Sequence, residues 1–154
     1  MSTPASNADM SQRIARFGDL KPIDYSSFIK NYKPDGTQGY ALVGRAGKTI
    51  PAIAGEHGFT MAVNKVSPGK GAPLHSHPKP EVFVVLSGQC SFFWGDKGQN
   101  EVTLGQWDTI SFPAGTKEGF LNVGQEEAVL LVGQDGAEIG EVMSDKKTEE
   151  EVRA

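Results

Sequence analysis

The stretch GKGAPLHSHPKPEVFVVLSG, residues 69–88, contains two of the chain's three histidines and a glutamate between positions 75 and 81. Side chains alternate between the two faces of a β-strand, so His75 and His77 would point to the same side of one strand. Neutral imidazole is the commonest protein ligand for metal ions. The pair therefore predicts a metal site, and two exposed loop histidines are the plain alternative.

Two prolines separate these histidines from Glu81. Pro78 and Pro80 have no N–H to donate to a strand ladder, so they interrupt the strand. Glu81 can then begin a second strand at a new angle and still face His75 and His77. Two imidazoles and one carboxylate on one face can hold an ion and leave coordination positions open. We therefore predict a divalent metal ion (Fe, Mn, Ni or Zn) bound by these three side chains.

Short strands separated by turn residues continue on both sides of this stretch. FTMAV (59–63) alternates apolar and small side chains, GDKGQ (95–99) is typical of a turn, and SPGKGAP (67–73) predicts a loop. We predict strands over residues 59–63, 81–88, 90–95, 101–104, 109–113, 119–123, 128–133 and 137–142. Strands of this length and spacing are typical of an all-β fold, either two packed antiparallel sheets or a small barrel.

Composition and charge exclude several classes of protein. The 154 residues carry a net charge of −4 and no basic block, so neither nucleic acid nor an anionic membrane is an expected partner. Cys90 is the single cysteine, so no internal disulfide can form. No apolar run approaches the roughly 18 residues that span a bilayer, and the first residues lack the apolar core of a signal peptide. We therefore expect a cytoplasmic protein.

The spacing Gly69-x5-His75-x-His77-x3-Glu81-x6-Gly88 resembles the first sequence motif of the cupin superfamily. A second cupin-like motif follows, formed by Gly105, Asp108, Pro113, Gly115 and Asn122. The resemblance implies a double-stranded β-helix, which is a jelly-roll-like barrel, with the metal inside it. It also implies a homodimer in which an N-terminal segment near residues 13–20 crosses to the partner.

The chain divides into four parts on these grounds: a disordered N-terminus (1–12), an N-terminal arm with a short helix (13–39), a cupin β-barrel (40–143) and a charged C-terminal tail (144–154). Asp24 is placed to cap a short helical turn that includes Tyr25, Phe28 and Ile29.

The second motif departs from the family at Glu118, where similar proteins carry a further histidine. Three interpretations stay open. Glu118 is a fourth ligand beside His75, His77 and Glu81, or it is a catalytic base that lines the cavity, or the site has lost tight metal binding. The remaining histidine, His57, is expected on the surface.

The resemblance implies a small cupin that binds a divalent metal and acts as a metal-dependent enzyme, such as a dioxygenase, on a small organic substrate in the barrel. A metal-dependent isomerase or lyase is one alternative, and a non-catalytic protein that binds a small molecule is another. Aromatic side chains, among them Phe92, Phe112 and Phe120, are expected mostly in the core or the barrel wall. Those that line the cavity would favour an apolar or aromatic guest.

Overall fold

The computed structural model describes residues 3–29, 36–139 and 143–144. Helix α1 (Asn7–Ser11) and two 3₁₀ helices (Phe17–Asp19 and Tyr25–Ser27) belong to the N-terminal region. The strands are β1 (Lys21–Pro22), β2 (Thr37–Val43), β3 (Phe59–Val66), β4 (Gly71–Ser76), β5 (Glu81–Ser87), β6 (Cys90–Trp94), β7 (Asn100–Leu104), β8 (Thr109–Phe112), β9 (Glu118–Asn122), β10 (Ala128–Asp135) and β11 (Met143–Ser144).

The strands form two antiparallel sheets that face each other. One sheet has the order β1-β2-β3-β10-β5-β8, and the other has the order β11-β4-β9-β6-β7. The predicted all-β barrel is therefore confirmed. None of the helices in the described part of the chain is long and apolar enough to cross a membrane.

Phenylalanine rings from both sheets fill the space between them. Phe83 on β5 lies 5.3 Å from Phe92 on β6, 5.6 Å from Phe120 on β9 and 6.1 Å from Phe112 on β8, measured between ring centroids. Tilted and edge-to-face aromatic pairs at these distances add to the free energy gained by burying apolar area. The sheets are thus fixed against each other beside the predicted metal residues.

The loop predicted over residues 67–73 is shorter than expected, because β4 already begins at Gly71. A Cβ atom on Gly71 would lie 1.9 Å from the carbonyl oxygen of Phe120 on the neighbouring strand β9. Glycine is required here by the close approach of two strands, whereas the sequence pattern suggested a turn. Strand β2 was also missed, since the predicted strands begin only at residue 59.

The N-terminal region contains a short helix that the sequence analysis did not predict. Asn7–Ser11, within the segment expected to be disordered, form α1, which has no buried residue. Ser6 and Asp9 form a reciprocal capping box at its start, which satisfies backbone donors that would otherwise be free. The predicted helical turn after Asp24 is confirmed, because the Asp24 side chain accepts a hydrogen bond from the backbone N–H of Ser26.

Both predictions for the C-terminal region lie largely outside the described residues. Of the strand predicted over 137–142, residues 140–142 are not described, and Glu138 forms only an isolated bridge with Arg45. Of the predicted tail, only Ser144 is described, as part of β11.

The side chain of Asn122 forms hydrogen bonds with the end of β3 and with the turn that follows β9. Its side-chain nitrogen donates to the carbonyl oxygens of Val66 and Glu126, both at 2.8 Å, and its side-chain oxygen accepts from the backbone N–H of Gly124 at 2.8 Å. A buried amide with all these partners fixes the end of β9 against the end of β3. The asparagine of the second motif therefore has a structural role in this barrel.

Trp107 is expected to weaken the turn in which it lies, so Trp107→Gly should raise the free energy of unfolding by about 0.5–1 kcal/mol. Its φ is +72°, a left-handed conformation that a bulky side chain disfavours, and its side chain is 70% exposed, so little packing is lost. Urea unfolding followed by circular dichroism would measure the change. Gly88→Ala is the matched control: Gly88 has a φ of +79°, and a Cβ there would lie 2.8 Å from Ala128 Cα, so this variant should be destabilised. A less stable Trp107→Gly variant would contradict the argument.

Candidate metal centre

The structure brings together the four side chains that the sequence predicted as metal ligands. His75 lies in β4, His77 follows the end of β4, Glu81 begins β5 and Glu118 begins β9. One ligand atom from each residue can be chosen so that all four atoms lie within 4.8 Å of one another. Residues from both facing sheets thus converge between them.

His75 is oriented by its own backbone neighbourhood. Its Nδ1 lies 2.7 Å from the carbonyl oxygen of Pro73, so Nδ1–H donates this bond and Nε2 keeps its lone pair for an ion. His75 is also the cross-strand neighbour of Glu118 in the β4–β9 ladder. The pairing brings imidazole and carboxyl group to the same level of the barrel.

His77 is 7% exposed and is held in the neutral form that binds metals. Burial lowers the pKa of His77 to about 4, and the nearby charge of Glu81 offsets only part of this effect. Its Nε2 lies 3.5 Å from Glu81 Oε2, and its ring lies edge-on to that of His75, with 4.9 Å between the ring centroids. The predicted approach of the two histidines is present, although His77 lies just beyond the strand.

Glu81 has a partner that the sequence analysis missed. Gln134 on β10 is its cross-strand neighbour, and the Gln134 side-chain nitrogen donates a short hydrogen bond to Glu81 Oε2. Such an outer partner fixes the orientation of a ligand carboxylate. Gln134 follows the apolar run 128–133, so the sequence pattern placed it beyond the end of the predicted strand and gave no sign of its role.

Glu118 is 3% exposed, and its Oε1 has no hydrogen-bond partner among the described residues. Burial raises the pKa of this carboxyl group, and both a hydrogen bond to Glu81 and the charge of Glu81 raise it further. Two carboxyl groups this close favour sharing a proton unless a cation replaces it. Glu118 is therefore the residue whose charge state depends most on a bound ion.

The four residues fit a divalent ion on three counts. Ligands about 2.1 Å from one ion are at most about 4.2 Å apart, so the 4.8 Å spread needs only small side-chain shifts. His77 Nδ1 and Glu118 Oε1 are buried without hydrogen-bond partners in the described structure. Two imidazoles with two carboxylates also form a donor set suited to Fe, Mn, Ni or Zn. His57 is not part of this group; it is partly buried, and its ring contacts Phe59.

A cavity with an empty volume of about 710 Å³, including open space at its mouth, adjoins this group. His75, His77 and Glu81 line it, whereas Glu118 is not among its lining residues. Most of the remaining wall is apolar, including Ile23, Phe28, Phe83, Phe120, Val132 and Ile139. Among the aromatic residues expected in the core or the barrel wall, Phe120 lines the cavity, whereas Phe92 and Phe112 pack in the core. The N-terminal arm adds Phe28, which was not expected there.

The raised pKa of Glu118 predicts that the metal-free protein loses stability as pH rises. Above the ordinary value of 4.5, the unfolded chain gives up this proton while the folded chain retains it, so the free energy of unfolding falls with pH. The lowered pKa of His77 makes the free energy of unfolding rise with pH, but only between its folded pKa of about 4 and its ordinary pKa of 6.5. Cys90 and Tyr25 have ordinary pKa values of 9.0 and 10.0, so they affect the stability mainly at higher pH. Glu118 therefore dominates the slope between pH 7 and 8.

We expect a slope of at most about 1.4 kcal/mol per pH unit, corresponding to one proton. Urea unfolding in a chelating buffer at several pH values would measure it. Glu118→Gln should flatten the slope, while Glu56→Gln, which changes an exposed glutamate, should leave it unchanged. An identical slope in wild type and Glu118→Gln would contradict the assignment.

The fold and the site together define a small antiparallel barrel with a buried group that could hold a metal ion. The family model described as "Cupin domain" matches residues 62–133. Residues 62–133 therefore form a small cupin domain, and the resemblance noted in the sequence is confirmed. No curated protein matches the chain with significance.

Solved structures agree with this fold. The polyketide cyclase RemF from Streptomyces resistomycificus aligns over 91% of this chain and 89% of its own, with 20% identity and a TM-score of 0.68. A cupin-2 domain from Rhodospirillum rubrum covers 91% and 83%, with 14% identity and a TM-score of 0.65. An oxalate oxidase covers 92% and 67%, with 21% identity and a TM-score of 0.61. At these identities the likeness concerns the fold alone.

Proposed function

We propose that this protein is a metal-dependent enzyme that acts on a small, mostly apolar organic molecule in its barrel. His75, His77, Glu81 and Glu118 would hold the ion. The observation that carries the proposal is that three of these four residues line an apolar cavity. A guest in the cavity would therefore contact the same side chains that contact the ion.

Glu118 fits the role of a ligand better than that of a catalytic base. A base must lie within hydrogen-bond reach of the proton that it removes from the substrate. Glu118 is buried and does not line the cavity, whereas it lies beside His75 and Glu81. This arrangement supports the interpretation of Glu118 as a fourth ligand beside His75, His77 and Glu81.

The charge of the cavity wall favours a neutral substrate. No lysine or arginine lines it in the described part of the chain, and Glu81 contributes negative charge. A small dicarboxylate would lack a cationic partner apart from the ion itself. A neutral molecule with an oxygen atom that reaches the ion agrees better with this wall.

Oxygenation is the reaction that the ligand set supports best. Two carboxylates would make a divalent ion formally neutral, which lowers its reduction potential and weakens its Lewis acidity. When bound, an iron ion of this kind supplies electrons for the activation of oxygen. We therefore place a dioxygenase before an isomerase or a lyase, which depend more on Lewis acidity.

Oxygen uptake would test this proposal. The protein would be loaded with Fe(II) and, separately, with Mn(II), Ni(II) or Zn(II), and supplied with catechol and 2,6-dihydroxynaphthalene as probes. Uptake of one O₂ per probe molecule consumed, above the rate of a His77→Ala variant, would support a dioxygenase. Probe conversion without oxygen would indicate an isomerase or lyase. A loaded protein that binds the probes without converting them would indicate a non-catalytic binding protein.

We also propose that the protein forms a homodimer through its N-terminal segment. Met10, Ile14 and Phe17 are 44%, 60% and 55% exposed, which is high for three apolar side chains within eight positions. A second copy packed on this segment would cover them. Light scattering coupled to size-exclusion chromatography should give twice the chain mass of 16.5 kDa; the mass of one chain would refute the proposal.

A further inference from the structure

Tyr25 and Asn64 form a polar pair in the cavity, apart from the metal-ligand group. The Tyr25 hydroxyl donates to Asn64 Oδ1 at 3.1 Å, and both residues line the cavity. Tyr25 comes from the N-terminal arm and Asn64 from β3, so the pair joins the arm to the barrel wall. Neither residue belongs to the metal-ligand group.

Gly39 on β2 makes room for this pair. A Cβ atom there would lie 2.1 Å from the Tyr25 hydroxyl oxygen and 2.7 Å from Asn64 Oδ1. The backbone of Gly39 is not in the left-handed region, so its conformation does not require glycine. Space for the two polar groups is therefore the physical reason for glycine at this position, and the pair is a built feature of the cavity.

The pair keeps one donor group for a guest, the side-chain NH₂ of Asn64. The Tyr25 oxygen receives a backbone hydrogen bond from Gly39, and burial together with the charge of Glu81 raises the pKa of Tyr25, so its hydroxyl remains neutral. With Asn64 Oδ1 occupied by Tyr25, the Asn64 side-chain nitrogen has no partner among the described residues. An amide N–H of this kind binds a hydroxyl or carbonyl oxygen.

The pair lies at a different level of the barrel from the metal-ligand group. Asn64 is the cross-strand neighbour of Leu130 on β10, and Glu81 is the neighbour of Gln134 on the same strand. Four strand residues separate these levels, which is roughly 13 Å along the strand at the backbone. Val132 lies between them and lines the cavity. The cavity thus has two polar ends with an apolar wall between them.

We propose that Tyr25 and Asn64 form a second oxygen-binding subsite, so that the substrate is a neutral molecule of one or two fused rings with oxygen groups at opposite ends. One oxygen would face the metal-ligand group, and the other would accept a hydrogen bond from Asn64. The apolar rings would lie along Val132, Phe83 and Phe120. The substrate class named here rests on the proposed function, whereas the subsite itself does not.

Two probes that differ by one hydroxyl group would test the subsite: 2,6-dihydroxynaphthalene and 2-naphthol, titrated calorimetrically into the Mn(II)-loaded protein. A hydrogen bond between neutral groups and a twofold statistical factor should give a preference for the diol on the order of tenfold in wild type. Asn64→Leu should lower it to about twofold. This variant leaves the Tyr25 hydroxyl without its hydrogen-bond acceptor. The double variant Tyr25→Phe with Asn64→Leu removes that hydroxyl as well and should show the same loss of preference for the diol.

Asn100→Leu is the matched control, since Asn100 is an exposed residue on β7 outside the cavity and should keep the wild-type preference. Equal preference in wild type and both Asn64 variants would overturn the proposal, as would no binding of either probe at millimolar concentration. The same titrations on metal-free protein separate the two proposals. Discrimination that persists in a protein unable to bind metal would support the subsite and refute the metal-dependent function. A protein that binds metal but does not distinguish the two probes would refute the subsite and leave the metal-dependent function standing.

Discussion

His77→Ala is expected to reduce the metal content of the purified protein from one divalent ion per chain to nearly none. His77 supplies one of only two imidazoles in the ligand group, and it is held neutral by burial at any pH above its lowered pKa of about 4. Loss of an outer partner of a ligand already costs roughly 10–100-fold in metal affinity, and loss of a ligand should cost more. The alanine side chain would also leave the charge of Glu81 without its neighbour at 3.5 Å.

Mass-spectrometric metal analysis of untagged wild type and His77→Ala, purified in parallel, would measure this loss. His57→Ala is the matched control, since it removes the histidine outside the ligand group and should keep the wild-type metal content. Circular dichroism would establish that both variants are folded. A wild-type protein that contains no metal and takes up no added divalent ion would refute the metal-dependent function. Equal metal content in wild type and His77→Ala would exclude this residue as a ligand.

The barrel strands were predictable because their side chains alternate or form short apolar runs between turn residues. FTMAV at 59–63 and AVLLVG at 128–133 pair as β3 and β10, each slightly longer than predicted. The start of β4 was not predictable, because Gly71 is needed for the close approach to Phe120 on a strand nearly fifty residues away. A local pattern contains no information about such an approach.

The four residues of the candidate metal site were predictable for a related reason. His75, His77 and Glu81 are close in sequence, and the alternation of the two histidines together with the proline break before Glu81 predicted that they face one another. Glu118 was found only through the resemblance of the second motif to that of cupins. Gln134 and Asn64 were missed because each acquires its role from a partner that is distant in sequence, Glu81 and Tyr25 respectively.

The arm is the part of the cavity that sequence analysis understated most. The capped turn after Asp24 was predicted as a local element, and its ring side chains were not assigned to the cavity wall. Ile23 donates its backbone N–H to the carbonyl oxygen of Gly39, and Asp24 donates its own to Thr49 Oγ1. These long-range bonds turn a local helix into one side of the cavity, with Tyr25 and Phe28 facing inward.

Glu118→Ala should weaken metal binding and Glu118→His should not, if Glu118 is a ligand. Alanine removes one of four donor atoms and should weaken binding by more than the roughly 10–100-fold expected for an outer partner. Histidine restores a donor at a position where similar cupins carry imidazole, so affinity should stay the same or increase. Calorimetric titration of Mn(II) and Zn(II) into each metal-free variant would measure both changes, with Glu56→Gln as an exposed glutamate control.

Proton release gives this comparison a second readout that a purely structural role would not change. Burial and the neighbouring Glu81 raise the pKa of Glu118, so wild type should release a proton when metal binds near pH 7.5, and its apparent affinity should rise with pH by up to about tenfold per unit. Titration in buffers of different ionisation enthalpy would count that proton. Glu118→Ala should release none. If both Glu118→Ala and Glu118→His retain wild-type affinity and proton release, Glu118 is not a ligand, and His75, His77 and Glu81 would have to hold the ion without it.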